Sequence, residues 1–128
     1  FSGYSVRGKS LESAQKILDD ARAVEDAGAF SVVLECVPLE LAEKITKTLS
    51  IPTIGIGSGL ECDGQIQVLH DVLGLISGFT PKHAKQFINL HEPILRALKK
   101  YSSSVEKRTF PNNSHSTNYK TKIVDKLN

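Results

Sequence analysis

The stretch Phe30-Ser31-Val32-Val33-Leu34-Glu35-Cys36-Val37-Pro38 decides the fold. An apolar run ends in a carboxylate, and the proline that follows suits the first turn of a helix. The run predicts a strand over 30–36, of the kind covered on both faces in a parallel sheet. An ionised carboxylate held out of water is costly unless partnered, so Glu35 at such a strand end calls for a reason. A second apolar run, Ile51-Pro52-Thr53-Ile54-Gly55-Ile56, closes in Gly57-Ser58-Gly59. Two βα units, one ending in a carboxylate and the next in a glycine-rich loop, predict an α/β active-site rim.

The pattern extends outward in both directions. Ser10 can cap a helix whose apolar positions, Leu11, Ala14, Ile17, Leu18, Ala21 and Val24, follow a 3.6 period. Gly28 is its expected stop. Leu41, Ala42, Ile45 and Leu49 give the helix after Pro38 an inner stripe. Gly3 to Gly8 and Leu60 to Gly64 read as loops. Gln65 to His70 reads as a third strand ending near Asp71. Thr80-Pro81 reads as a helix start with Ala84, Phe87 and Ile88 inward. Pro93 is expected to kink or break that helix, having no N–H. Ile94, Leu95, Leu98 and Tyr101 continue it. From Asn112 onward the sequence predicts an irregular tail, with at most a frayed turn around Ile123 to Leu127.

The element order is then α-β-α-β-turn-β-α with parallel crossovers. Three parallel strands leave two open edges and make a better third of a larger sheet than a sheet of their own. A complete (β/α)₈ barrel needs about 200 or more residues, and this chain has 128. It contains no methionine, even at position 1. The expectation is a piece of a longer chain.

Composition narrows the function classes. Hydrophobic content of 40% and charged content of 23% are ordinary for a globular protein. No apolar run reaches the roughly 18 residues of a membrane span, and no secretory signal is visible. Residues 1–95 carry eight Lys/Arg against twelve Asp/Glu, whereas residues 96–128 carry eight against two. A basic tail can bind nucleic acid. This one has only Tyr101, Phe110 and Tyr119 as aromatics and no RNA-binding motif, so no nucleic-acid role is expected. Cys36 and Cys62 form no C-x-x-C pair. Neither a disulfide framework nor a zinc site is expected, and a reducing compartment is the default.

The residues that could carry chemistry are few. Glu35 suits a general base, since a carboxylate whose pKa is raised by burial can take a proton from carbon near working pH. A glutamate already in solvent at the strand end, or paired with a lysine, is the plainer alternative. Gly55, Gly57, Ser58 and Gly59 could bring backbone N–H groups close to an anion. The same glycines also suit a tight turn, and there is no Walker lysine. His70 and Asp71 could serve acid–base or metal chemistry, although no second histidine lies at ligand spacing. His83, His91 and His115 read as surface residues.

Across Val33-Leu34-Glu35-Cys36-Val37-Pro38-Leu39-Glu40-Leu41-Ala42 the chain resembles the ketopantoate hydroxymethyltransferase family. The likeness runs on through Ile51 to Gly59 and through Asp63-Gly64-Gln65-Ile66-Gln67-Val68-Leu69-His70-Asp71. Gly3-Tyr4 with Val6-Arg7-Gly8, and Phe110-Pro111 with His115-Ser116, look like the family's flanking segments. Several linked motifs in order, over roughly residues 1–116, make the likeness specific.

The resemblance implies the last three βα units of a (β/α)₈ TIM-type barrel over 1–103, followed by a polar, basic tail over 104–128. It implies hydroxymethyl transfer from 5,10-methylenetetrahydrofolate to 3-methyl-2-oxobutanoate, giving 2-dehydropantoate for pantothenate and coenzyme A synthesis. It implies Mg²⁺ on the 2-oxo acid, with metal ligands in the half of the barrel that this chain lacks. Glu35 falls on the family's catalytic base. Gly57, Ser58 and Gly59 become candidates for substrate binding, and His70 and Asp71 for the rim. The implied setting is a homo-oligomer in the cytoplasm, or in mitochondria of a eukaryote, and the chain alone is expected to be inactive. The competing class is a non-catalytic interaction fragment or split subunit that docks on a partner half-barrel.

Overall fold

The computed structural model describes residue 8 and residues 10–117. The expected turn around 123–127, and most of the expected loop over 3–8, lie outside the described residues. The chain divides into two units, Phe1–Asn89 and Leu90–Asn128.

The first unit begins with helix α1, Leu11–Asp26. Ser10 caps it, its hydroxyl accepting from the Ser13 amide at 3.2 Å while the Ser13 hydroxyl takes the Ser10 amide at 3.0 Å. This reciprocal cap satisfies two of the amides that a helix start leaves unpaired. Leu18 and Ala21 are its buried residues. Strand β1, Val32–Glu35, leads into helix α2, Leu39–Thr48, with Pro38 at its N-cap. Ala42 and Ile45 of α2 are fully buried, and Leu41 and Leu49 pack beside them. Strand β2, Thr53–Ile56, pairs parallel with β1, and the two-residue strand β3, Gly64–Gln65, pairs parallel with β2. The expected parallel order β1-β2-β3 is observed.

The sheet has two unlike faces. Side chains alternate along a strand, and directly paired residues share a face. Leu34 and Thr53 are buried against the helices, and Gly55 is buried beside Cys62 and Gln65. Val33 is 54% exposed, Glu35 is exposed, and their β2 partners Ile54 and Ile56 are half-buried. The expectation that β1 is covered on both faces is therefore corrected: α1 and α2 cover one face only.

Two further expectations fail for local reasons. The third strand stops at Gln65 instead of His70. Ile66 still donates to Gly55 O at 3.0 Å, but β2 ends at Ile56 and offers no further rail. The amides of Asp71 and Val72 bond to Val68 O instead, and Leu69–Leu73 becomes the short helix α3. The helix expected from Thr80 does not form. Pro81 starts a single turn, closed by Ala84 N–H to Pro81 O. The next amides are captured from outside, Lys85 by the Gln67 side chain and Phe87 by Val72 O at 2.9 Å. Phe87 and Ile88, expected inward, are 66% and 50% exposed.

The second unit is built on helix α4, His91–Glu106. Pro93 does not break it. It occupies the third position of the first turn, where no intrahelical N–H bond is required. Phe110 stacks edge-on with both Tyr101 and His115, beside a short 3₁₀ turn over Asn113–His115. No helix among the described residues is long and apolar enough to cross a membrane.

Candidate active site

The last ladder bond of β1 runs from Cys36 N–H to Ile56 O, at 2.9 Å. The chain then turns sharply, with Cys36 at φ 52, a left-handed conformation uncommon for a side-chain-bearing residue. Val37 drops into the core and Pro38 starts α2. Ser58 braces this corner from the neighbouring strand end. Its hydroxyl donates to Leu34 O at 2.7 Å and accepts from Val37 N–H at 3.1 Å, with the side chain almost wholly buried. Those two bonds bracket Glu35 and Cys36. They also engage the Ser58 hydroxyl with β1 backbone, so of the three candidate substrate-binding residues only Gly57 and Gly59 border open space.

Gly57 and Gly59 both have positive φ, 65 and 84. Space forbids a side chain at either. A Cβ on Gly57 would sit 2.7 Å from His83 Cβ, and one on Gly59 would sit 2.9 Å from the Leu39 side chain. The glycines let the β2 loop close against α2 and against the 79–83 segment. A cleft of about 480 Å³ remains there, walled by Cys36, Val37, Pro38, Gly57, Pro81 and His83. Cys36 Sγ lies 3.7 Å from His83 Nδ1.

Glu35 is not part of that cleft wall. It stands at the C-terminal end of β1 on the uncovered face, beside Ile56. Glu35 and Gly57 thus end adjacent strands. His70 and Asp71 do not end a strand as expected; they sit in α3, several residues beyond the end of β3.

A second carboxylate underpins the sheet. Asp63 accepts from the Thr53 amide at 2.8 Å and from its hydroxyl at 3.1 Å, and Thr53 in turn meets Thr46 of α2 at 2.8 Å. The Thr53 backbone bond first, and its hydroxyl second, hold the Asp63 carboxyl below its ordinary range. Glu25 is lowered likewise, by the Ser50 hydroxyl and then the Ser50 amide. These bonds join α1 and the loop before β3 to the entry of β2. Among the described residues no three His, Cys, Asp or Glu side chains converge as a metal ion requires. Sequence reasoning missed Asp63, the bracing by Ser58 and the place of His83. Each depends on a contact between distant segments and has no local signal.

Parallel βα units with a cleft and a carboxylate at the strand C-termini define an α/β protein with a small three-stranded parallel sheet. The family model described as ketopantoate hydroxymethyltransferase matches residues 1–113. The chain belongs to that family. It is 50% identical over 127 residues to the 3-methyl-2-oxobutanoate hydroxymethyltransferase of Syntrophomonas wolfei, covering 99% of this chain and 46% of that protein. It is 54% identical over 114 residues to the protein of that name from Geobacter metallireducens, covering 89% and 43%. For the one from Carboxydothermus hydrogenoformans the figures are 50% over 125 residues, with 98% and 45% covered. The chain thus spans somewhat under half the length of these relatives.

Proposed function

We propose that this chain supplies the base-carrying part of a 3-methyl-2-oxobutanoate hydroxymethyltransferase, as the last three βα units of a (β/α)₈ barrel. The observation that carries the reading is Glu35, exposed at the C-terminal end of β1 on the sheet face opposite α1 and α2. In a barrel that face is the interior, and the strand C-termini form the catalytic rim.

Glu35 takes the proton from C3 of the 2-oxo acid. The freed electron pair shifts toward the 2-oxo group, and C3 becomes the nucleophile that accepts the one-carbon unit of 5,10-methylenetetrahydrofolate. Gly57 and Gly59 keep the rim beside Glu35 open to the substrate. Mg²⁺, held by residues outside this chain, supplies charge stabilisation on the 2-oxo acid when bound. The assembly is a homo-oligomer working in the cytoplasm or in mitochondria. The division proposed for the chain places the barrel part at 1–103 and a polar tail at 104–128.

The uncovered sheet face also supports a second reading, a split subunit that docks on a partner half-barrel without taking part in the chemistry. One experiment separates the two. The chain is mixed with the N-terminal part of the Syntrophomonas wolfei relative, and 2-dehydropantoate formation is followed. Activity in the mixture, absent from either part alone, is the expected result. A stable complex without activity leaves the docking reading standing, and no complex and no activity refutes both.

A further inference from the structure

We infer that Cys36 and His83 form a thiol–imidazole pair that takes small uncharged electrophiles in the strand-end cleft, a covalent-modification site separate from the base at Glu35. Cys36 Sγ lies 3.7 Å from His83 Nδ1, within reach of a sulfur hydrogen bond. Both residues line the same cleft of about 480 Å³, whose remaining walls include Val37, Pro38 and Pro81. Those walls suit a small uncharged ligand, with Lys82 the charged residue at the border.

The pairing is built by the fold. Cys36 is held at φ 52, where an ordinary residue is strained. Gly57 has no side chain, and a Cβ there would sit 2.7 Å from His83 Cβ and 3.5 Å from Cys36 Sγ. The glycine therefore leaves room for the imidazole to reach the thiol. A nucleophile with a base in hydrogen-bond reach is the arrangement that activates a thiol.

With iodoacetamide as the probe, the sulfur attacks the CH₂ carbon while Nδ1 of His83 takes the S–H proton. The C–I bond breaks and iodide leaves with its electron pair. The product is a thioether at Cys36 and a protonated His83, with no oxidant or reductant involved. The step needs neither Glu35 nor any further part of the barrel.

The test is the alkylation rate at each cysteine of the 128-residue chain, read by peptide mass spectrometry. Cys62, only 8% exposed, is the internal reference. Cys36 is expected to react at least about tenfold faster than Cys62, and His83→Gln to slow Cys36 at least about tenfold without changing Cys62, since a positioned base contributes about 10²–10⁴-fold. The unsubstituted chain gives the second measurement. Cys36 should react faster in the native chain than in urea, an acceleration that exposure alone does not give. A native Cys36 no faster than in urea, or a His83→Gln chain with intact Cys62 protection and an unchanged Cys36 rate, would overturn the inference.

Discussion

Residues 30–58 and residues 65–89 belong to the same unit, yet they are held in different ways. The first segment carries side chains fully out of water, Ala42, Ile45 and Thr53, with Ser58 nearly so. The buried hydroxyls of Thr53 and Ser58 are paired inside the segment or to Asp63. The second segment is held chiefly by backbone bonds, such as Ile66 to Gly55 and Phe87 to Val72. It leaves Ile66, Val68, Leu69, Ile76, Phe79, Phe87 and Ile88 each 47% exposed or more. The difference teaches where this chain is self-sufficient. The β1-α2-β2 segment shares a packed core with α1, while 65–89 offers exposed apolar surface.

The comparison breaks most readily at Ile45. Ile45→Ala should lower unfolding free energy in urea by about 2–5 kcal/mol, the usual range for emptying a packed aliphatic site. A loss under about 1 kcal/mol would mean that the first segment has no fixed core. Ser58→Ala should come next, at about 1–3 kcal/mol, because Leu34 O and Val37 N–H lose a partner in a dry place.

Asp63 sharpens the contrast through pH. Its folded-state pKa lies below the ordinary 3.8, so its contribution is complete above that value and is lost as pH falls through the folded value. Asp63→Asn should therefore flatten the acid limb of the stability curve below about pH 4 and leave that limb's upper end unchanged in slope. An acid limb as steep as the parent's would show that Asp63 does not tie Thr53 in solution. The smallest effect is expected from Phe87→Ser, within about 0.5 kcal/mol for the chain by itself. The same substitution should weaken binding of an N-terminal barrel part, measured by titration calorimetry, if this surface is covered there.

The same contrast explains what the sequence disclosed. Ser10, the period of Leu18 and Ala21, Pro38 and the stripe Ala42–Ile45 act through neighbours three or four residues away, so α1 and α2 were legible. Val32–Glu35 and Thr53–Ile56 were legible as apolar runs, and the positive φ of Gly57 follows from the turn that ends β2. Gln65 to His70 has the alternation of a strand, but a strand needs a rail, and β2 ends too soon to provide one. Thr80-Pro81 has a helix-start signal, but Gln67 and Val72 take the amides that a helix would use. For the site, Glu35 and the glycine loop were visible as strand-end residues. His83 beside Cys36 was not, because 47 residues separate them and only the folded loop joins them.

Exchange of the C3 proton of 3-methyl-2-oxobutanoate with deuterated water, without the folate donor, tests whether Glu35 is the base. The chain is combined with the N-terminal part of the Syntrophomonas wolfei relative, and Glu35→Gln is compared with the parent by NMR. Gln keeps the shape and hydrogen-bonding reach of Glu and removes its basicity. The account predicts exchange slowed by about 10²–10⁴-fold with 2-oxo acid binding retained. Exchange at the parent rate would contradict it and leave Glu35 an exposed strand-end carboxylate.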